Sequence, residues 1–171
     1  KDGDDTYNSV LQWELAGESG EGVAVDQYDK IHPVPFAEYL PARDFFYPLA
    51  PSLFDMVPRD YSFGERDTVM NVSGHTAGIA ICYDIVDDAI FWQMMDEGAD
   101  VIFAPTNNAD FGDTDQSAQQ LDIARMRAVE TGRALVNVST VGVSAVVLPD
   151  GTYLDTLTPF TADYMLETIP T

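Results

Sequence analysis

The sequence predicts an α/β domain, with helices layered on a mixed sheet, from three observations. Apolar strand-like segments alternate with helix-period segments between residues 68 and 139. At both ends of the chain, strand-like segments follow one another with no helix between them. Residues 100–105 (DVIFAP) form a nearly continuous apolar run of the kind buried on both faces of a sheet. Alternation in the middle and pairing at the ends are the pattern of a layered domain whose sheet has both parallel and antiparallel neighbours. At 171 residues, the chain has the length of one domain and can close a core.

Residues 7–13 (YNSVLQW) and 22–28 (GVAVDQY) read as two strands joined by the Gly/Glu/Ser turn at 17–22, a hairpin ending at Asp29-Lys30. The texture then changes. Between residues 31 and 60, six prolines are mixed with Phe36, Tyr39, Phe45, Phe46, Tyr47 and Phe54. Proline at this density disfavours helix and central strand, so the segment reads as a long, greasy loop, ordered or membrane-facing. Residues 68–72 and 76–81 read as strands, the second leading into Cys82. A helix capped by Asp84 or Asp88 should run to about Gly98, with Ile90, Phe91, Met94 and Met95 on one side. A second helix is expected over 117–131, with Leu121, Ala124, Ala128 and Thr131 inward, Arg125 and Arg127 elsewhere on its surface, and Gly132 ending it. Residues 134–139, 143–148 and 153–157 complete the set as strands, with a turn at Pro149-Asp150-Gly151.

Composition narrows the function. With 29 acidic against 8 basic side chains, the net charge is −21, and a surface this acidic repels phosphate backbones, which excludes nucleic-acid binding. A single cysteine excludes an internal disulfide and a cysteine-rich zinc site. Asp2, Asp4 and Asp5 lack the spacing, the glycine and the closing glutamate of a calcium loop. No metal and no cofactor is expected. No apolar run approaches the ~20 residues of a membrane span.

Two residues stand out chemically. Cys82 lies at the end of an apolar strand, beside a helix N-terminus whose N–H groups can stabilise a thiolate or a developing oxyanion. A small buried hydrophobe is the bland alternative for a lone cysteine. His32 and His75 are the histidines available to a Cys–His pair, and no local signature supports either. His75 falls at the opposite end of the strand from Cys82. The other possibility is a carboxylate base with a lysine ammonium at the oxyanion. Lys30 is the one lysine besides the terminal Lys1, and its bland reading is a solvated side chain at a strand end.

Five ordered blocks carry a family resemblance. Y-D-K-I-H-P-V-P-F-A-E-Y-L-P (28–41) resembles the lysine motif of the nitrilase, or carbon-nitrogen hydrolase, superfamily in the form found in its apolipoprotein N-acyltransferase branch. I-A-I-C-Y-D (79–84) is similar to the nucleophile motif. T-N-N-A-D-F-G (106–112), the Gln120–Arg133 block ending in A-R-M-R-A-V-E-T-G-R, and T-V-G-V-S-A-V-V-L-P-D-G (140–151) follow in the family's order. The resemblance implies an α-β-β-α sandwich, incomplete on its N-terminal side, with the whole of 1–171 as a partial catalytic domain. It implies Cys82 as a nucleophile that becomes an acyl-thioester, Lys30 at the tetrahedral oxyanion with the backbone N–H of Tyr83, and Glu38 as an acidic residue beside the lysine.

Asp84, where the family commonly has Glu after C-Y, is the expected support of this site, and Asp110 stands where many members have Trp. The implied partners are a phospholipid acyl donor, an S-diacylglyceryl-cysteine apolipoprotein acceptor, and the cell membrane, met through segments outside this chain from its extracytoplasmic side. Glu14, Glu18 and Glu21 lack the W-P-E context of the family's general base. That glutamate is therefore expected upstream of the chain, and the isolated fragment is expected to be inactive. Two other readings remain open: a soluble amidase or nitrilase using the same roles, and a non-catalytic acidic interaction domain with Cys82 as core.

Overall fold

A computed structural model describes residues 5–16, 20–55, 57 and 59–171. Strands β1 (Ser9–Ala16) and β2 (Glu21–Asp29) form an antiparallel hairpin with a bulge at Gln12/Trp13. Much of the turn expected over 17–22 lies outside the described residues. A second sheet takes β3 (Val69–Val72), β4 (His75–Ile79), β5 (Val101–Thr106), β6 (Ala134–Ser139), β7 (Ser144–Val147) and β8 (Tyr153–Leu157), in sequence order. β4, β5 and β6 run parallel; β3, β7 and β8 pair antiparallel. The mixed sheet is therefore as expected.

The parallel register follows from two crossovers. Between β4 and β5 lies α3 (Asp88–Asp96), and between β5 and β6 lies α4 (Gln116–Thr131). Ile90, Phe91 and Met94 of α3 and Leu121, Ala124 and Ala128 of α4 pack on Ile102, Ala104, Leu135, Ala145 and Val147. The opposite face of the sheet, through Met70, Ala77, Ile79 and Val101, meets Tyr28 and Val10 of the hairpin and Ile169 near the C-terminus. β5 shows the logic in miniature. Val101 and Phe103 face the hairpin side, and Ile102 and Ala104 face the helices. Gly132, in the left-handed region at φ 64°, ends α4 as its position suggests.

Three expectations need correction. The greasy segment is not helix-free: it holds α1 (Arg43–Phe46), a 3-10 turn Tyr47–Leu49 and α2 (Pro51–Phe54). Pro48 and Pro51 sit in the first turns, where a missing N–H costs nothing. The cap of α3 is Asp87, which accepts from Ala89 N at 2.8 Å, rather than Asp84 or Asp88. Asp84 is instead buried in the turn that begins at Cys82. Arg127 is not a surface residue either. It is 7% exposed, donates to Ile85 O at 2.9 Å, and lies over the Phe91 ring while pairing with Asp88 and Glu130.

Candidate active site

Beyond β4 the chain stays extended through Ile81, then turns at Cys82 with φ +50° and enters a 3-10 helix, Cys82–Val86. A residue with a Cβ in the left-handed region is strained by about 1–3 kcal/mol and persists only where its surroundings impose it. A tight 3-10 turn thus stands between Cys82 and the expected helix α3, and its first N–H groups have no partner inside it. Several bonds impose the turn. Asp84 N donates to Ile81 O at 3.0 Å, and Ile81 N donates back to Asp84 Oδ2 at 3.0 Å. Arg127 holds the carbonyl of Ile85, and Gln120 Nε2 donates to the carbonyl of Cys82 at 3.2 Å. Cys82 is partly accessible, while the Tyr83 side chain is exposed.

Lys30 follows the last residue of β2. Its backbone donates to Asn8 O at 2.8 Å and accepts from Gly64 N at 2.9 Å. A Cβ on Gly64 would overlap the Asp29 carbonyl, so only glycine allows this approach. The solvated reading of Lys30 fails: the residue is 1% exposed. Its Nζ meets Glu38 Oε2 at 2.6 Å. An ammonium out of water needs a counter-ion and further hydrogen bonds around the pair. Val34 N and Asn8 Nδ2 supply them to Glu38 at 2.7 and 2.9 Å. Burial pushes the Glu38 carboxyl up, but Lys30, the Val34 amide and Asn8 together outweigh it and hold it below the usual glutamate range.

Two bridges bring this cluster to the Cys82 turn. Tyr28, two residues before Lys30, donates its hydroxyl to Asp84 Oδ2 at 2.9 Å. His32, two residues after, sets Nε2 3.1 Å from Asp87 Oδ2. Burial raises the Asp84 carboxyl above the usual aspartate range, although the Ile81 amide, the Tyr28 hydroxyl and the Lys30 charge all favour the anion. Burial and the neighbouring Asp84 carboxylate push the Tyr28 phenol far up, so it stays a donor. Asp84 Oδ1 has no hydrogen-bond partner among the described residues.

Of the residues singled out in the sequence, Lys30 and Glu38 form a direct pair, and Cys82, Tyr83 and Asp84 share one turn. Asp110 lies in an exposed 3-10 turn, Ala109–Phe111. His75 sits at the far end of β4, 3.9 Å from Asp100. Sequence reasoning missed Tyr28, His32, Asn8 and Gln120 as parts of this arrangement. Tyr28 in β2 and Lys30 just beyond its last residue are two apart, a usable signal, while His32 lies in the bend that follows. Nothing local marked Asn8 or Gln120. Among the described residues there is no cluster of three or more potential metal ligands, and no helix is long and apolar enough to cross a membrane.

Comparison with known proteins identifies the family and the fold. The family model described as carbon-nitrogen hydrolase matches residues 1–171. The chain belongs to the carbon-nitrogen hydrolase family. Among curated members, the apolipoprotein N-acyltransferase of Mycolicibacterium smegmatis is 38% identical over 148 residues, covering 84% of this chain and 23% of that protein. That of Shewanella oneidensis is 30% identical over 174 residues, covering 98% and 33%. The chain thus spans about a quarter to a third of the length of these relatives. Among solved structures, Saccharomyces cerevisiae Nit3, of branch 10 of the nitrilase superfamily, superposes with a TM-score of 0.61 at 20% identity, covering 91% of this chain and 51% of that one. An amidase from Nesterenkonia sp. AN1 gives 0.56 at 21%, covering 78% and 48%. At such identities the likeness establishes the fold, a nitrilase-type α/β architecture.

Proposed function

We propose that these residues form the acyl-transfer site of an apolipoprotein N-acyltransferase, with Cys82 as nucleophile. The observation that carries the chemistry is the buried Lys30–Glu38 pair, tied through Tyr28 and His32 to the turn on which Cys82 sits. The names of the family relatives across most of the chain support the substrate class.

In the first step a carboxylate base takes the thiol proton, and the Cys82 thiolate adds to an ester carbonyl of a phospholipid. The oxyanion is met by the Lys30 ammonium and the Tyr83 backbone N–H. Collapse expels the glyceryl alkoxide, which recovers the proton as a lysophospholipid, and leaves an acyl-thioester. In the second step the amine of an S-diacylglyceryl-cysteine attacks the thioester, the thiolate departs and takes up the proton that the nitrogen loses, and an amide forms. Glu38 keeps the ammonium charged and oriented, and Asp84 supports the turn. Glu38 is held in the pair with Lys30 and Asp84 in the turn, and the general base that the family resemblance implies is a further glutamate. Phe36, Phe45, Leu49 and Leu53, exposed on the segment after Lys30, suit contact with acyl chains at the extracytoplasmic membrane surface.

The test is mass spectrometry of the complete protein after incubation with phospholipid vesicles. A hydroxylamine-sensitive acyl adduct is expected on Cys82, absent from Cys82→Ala. An adduct that persists in Cys82→Ala ends the assignment. Hydrolysis of simple amides with no acyl transfer would point instead to a soluble amidase.

A further inference from the structure

The peptide between Cys82 and Tyr83 carries two groups at once: the Cys82 carbonyl and the Tyr83 N–H. A trans peptide is planar, and these two groups point in opposite directions along it. Any contact that fixes the carbonyl therefore aims the N–H. The carbonyl has such a contact, the side-chain amide of Gln120 on α4, 38 residues away in sequence.

The orientation of that amide is itself determined. A carbonyl oxygen can only accept, so the face of Gln120 turned to Cys82 O must be the nitrogen. The same nitrogen lies 3.0 Å from Thr106 Oγ1, at the end of β5. The Thr106 hydroxyl has one proton and gives it to Asn108 Oδ1 at 3.0 Å. Asn108 Nδ2 then donates to Ser117 Oγ at 3.1 Å, and Ser117 Oγ accepts from Val143 N at 3.0 Å. Thr106, Asn108 and Ser117 are all buried, so each must keep its partners. Gly142 closes over this network, where a Cβ would overlap Ser117 Oγ. The chain of donors thus anchors Gln120 to the end of β5, the segment just before β7 and the first turn of α4, none of which is part of the nucleophile turn.

We propose that Gln120 is a positioning residue for the oxyanion site: by holding the Cys82 carbonyl it aims the Tyr83 N–H at the developing oxyanion. The inference rests on the reading of Cys82 as nucleophile and Tyr83 N–H as oxyanion donor. It accounts for a strained Cys82 held by bonds on both sides of its peptide: Asp84 fastens the incoming backbone, and Gln120 fastens the outgoing one. Gln120 touches no reacting atom, and its effect is on the direction of a donor.

Two reactions of the same sulfur separate this role from a structural one. Acylation of Cys82 by p-nitrophenyl butyrate passes through an oxyanion and releases p-nitrophenolate, forming a thioester. Alkylation by iodoacetamide displaces iodide at a saturated carbon, and no oxyanion forms. In the complete protein, Gln120→Met should lower the maximal acylation rate roughly 10- to 100-fold, less than the roughly 10²–10³ lost with an oxyanion donor itself. The ester concentration at half-saturation and the alkylation rate should stay at wild-type values. Thr106→Val, which frees Gln120 without removing it, should show the same split to a smaller extent. Equal falls in acylation and alkylation, or unchanged acylation in both variants, would overturn the inference. A wild-type protein inert to phospholipid but acylated by the ester overturns the acyltransferase reading alone, and Gln120 is then judged on the ester rates. A wild-type Cys82 that no ester acylates overturns both.

Discussion

Glu38 and Asp84 both lie within the candidate site and both have lost much of their water, yet their acidities move in opposite directions. Burial acts on each in the same sense, against the anion. The difference lies in their company. Glu38 faces the Lys30 ammonium directly and accepts two more N–H bonds from Val34 and Asn8. Asp84 has one oxygen in two neutral hydrogen bonds and the other with no partner among the described residues. The ammonium has its contact with Glu38 and reaches Asp84 only through its longer-range field. One cation therefore cannot hold two carboxylates equally. The region after β2 is built to keep a charge, and the turn after β4 is built on hydrogen bonds to a carboxyl whose charge is opposed. A divergence of this kind between neighbouring carboxyl groups separates the roles they can take.

The sharpest way to break the comparison is to remove one partner of the charged pair. Glu38→Gln leaves the Lys30 ammonium buried without its counter-ion, which should cost about 3–5 kcal/mol of stability. The denaturant midpoint measures it. Lys30→Met combined with Glu38→Gln should recover most of that loss while acyl transfer stays abolished, because the double change also removes the unpaired charge. A double variant whose loss equals the sum of the single losses would show that the pair is not coupled, and the contrast with Asp84 would fall.

The second test is pH. Glu38 has a lowered carboxyl pKa, so its contribution to stability is present above the ordinary glutamate range and is lost as pH falls through the lowered value. Asp84 has a raised one, so its contribution is complete below the ordinary aspartate range and is lost as pH rises through the raised value. Asp84→Asn should remove that second loss. Its melting temperature, relative to wild type, should therefore rise as pH is taken upward from the ordinary aspartate range. A constant difference across that range would show that Asp84 ionises without penalty.

The smallest effect belongs to the exposed bridge. His32→Ala removes the contact to Asp87, which is near the surface and should be worth no more than about 1 kcal/mol. Asp87 keeps its cap on Ala89 N, so α3 should remain intact by circular dichroism. A loss as large as that of Glu38→Gln would move the main tie between the two regions from Tyr28–Asp84 to His32–Asp87.

The sequence by itself determined the layered class, β6, β8, nearly all of β5 and α4, and the end of α4 at Gly132. These rest on local causes: a period of two or 3.6 in the apolar residues, and a left-handed position that suits glycine. It also put Cys82 at the edge of the sheet, because an apolar strand must end where polar text begins. Tertiary structure decided the rest. Lys30 is buried because Glu38, eight residues on, curls back to it, and Asn8 comes from the segment just before β1. Arg127 is buried because its bonds reach Ile85 and Asp88 across the gap between α4 and the turn at Cys82. Asp84 and Asp88 were the candidate helix caps in the text of the chain, and Asp87 was not singled out. Tyr28 drew Asp84 inward, Arg127 drew Asp88 sideways, and Asp87 was left to cap α3. Each of these choices depends on a partner distant in sequence. A charged or polar side chain takes its place from whatever group can satisfy it, and only the folded chain brings that group within reach.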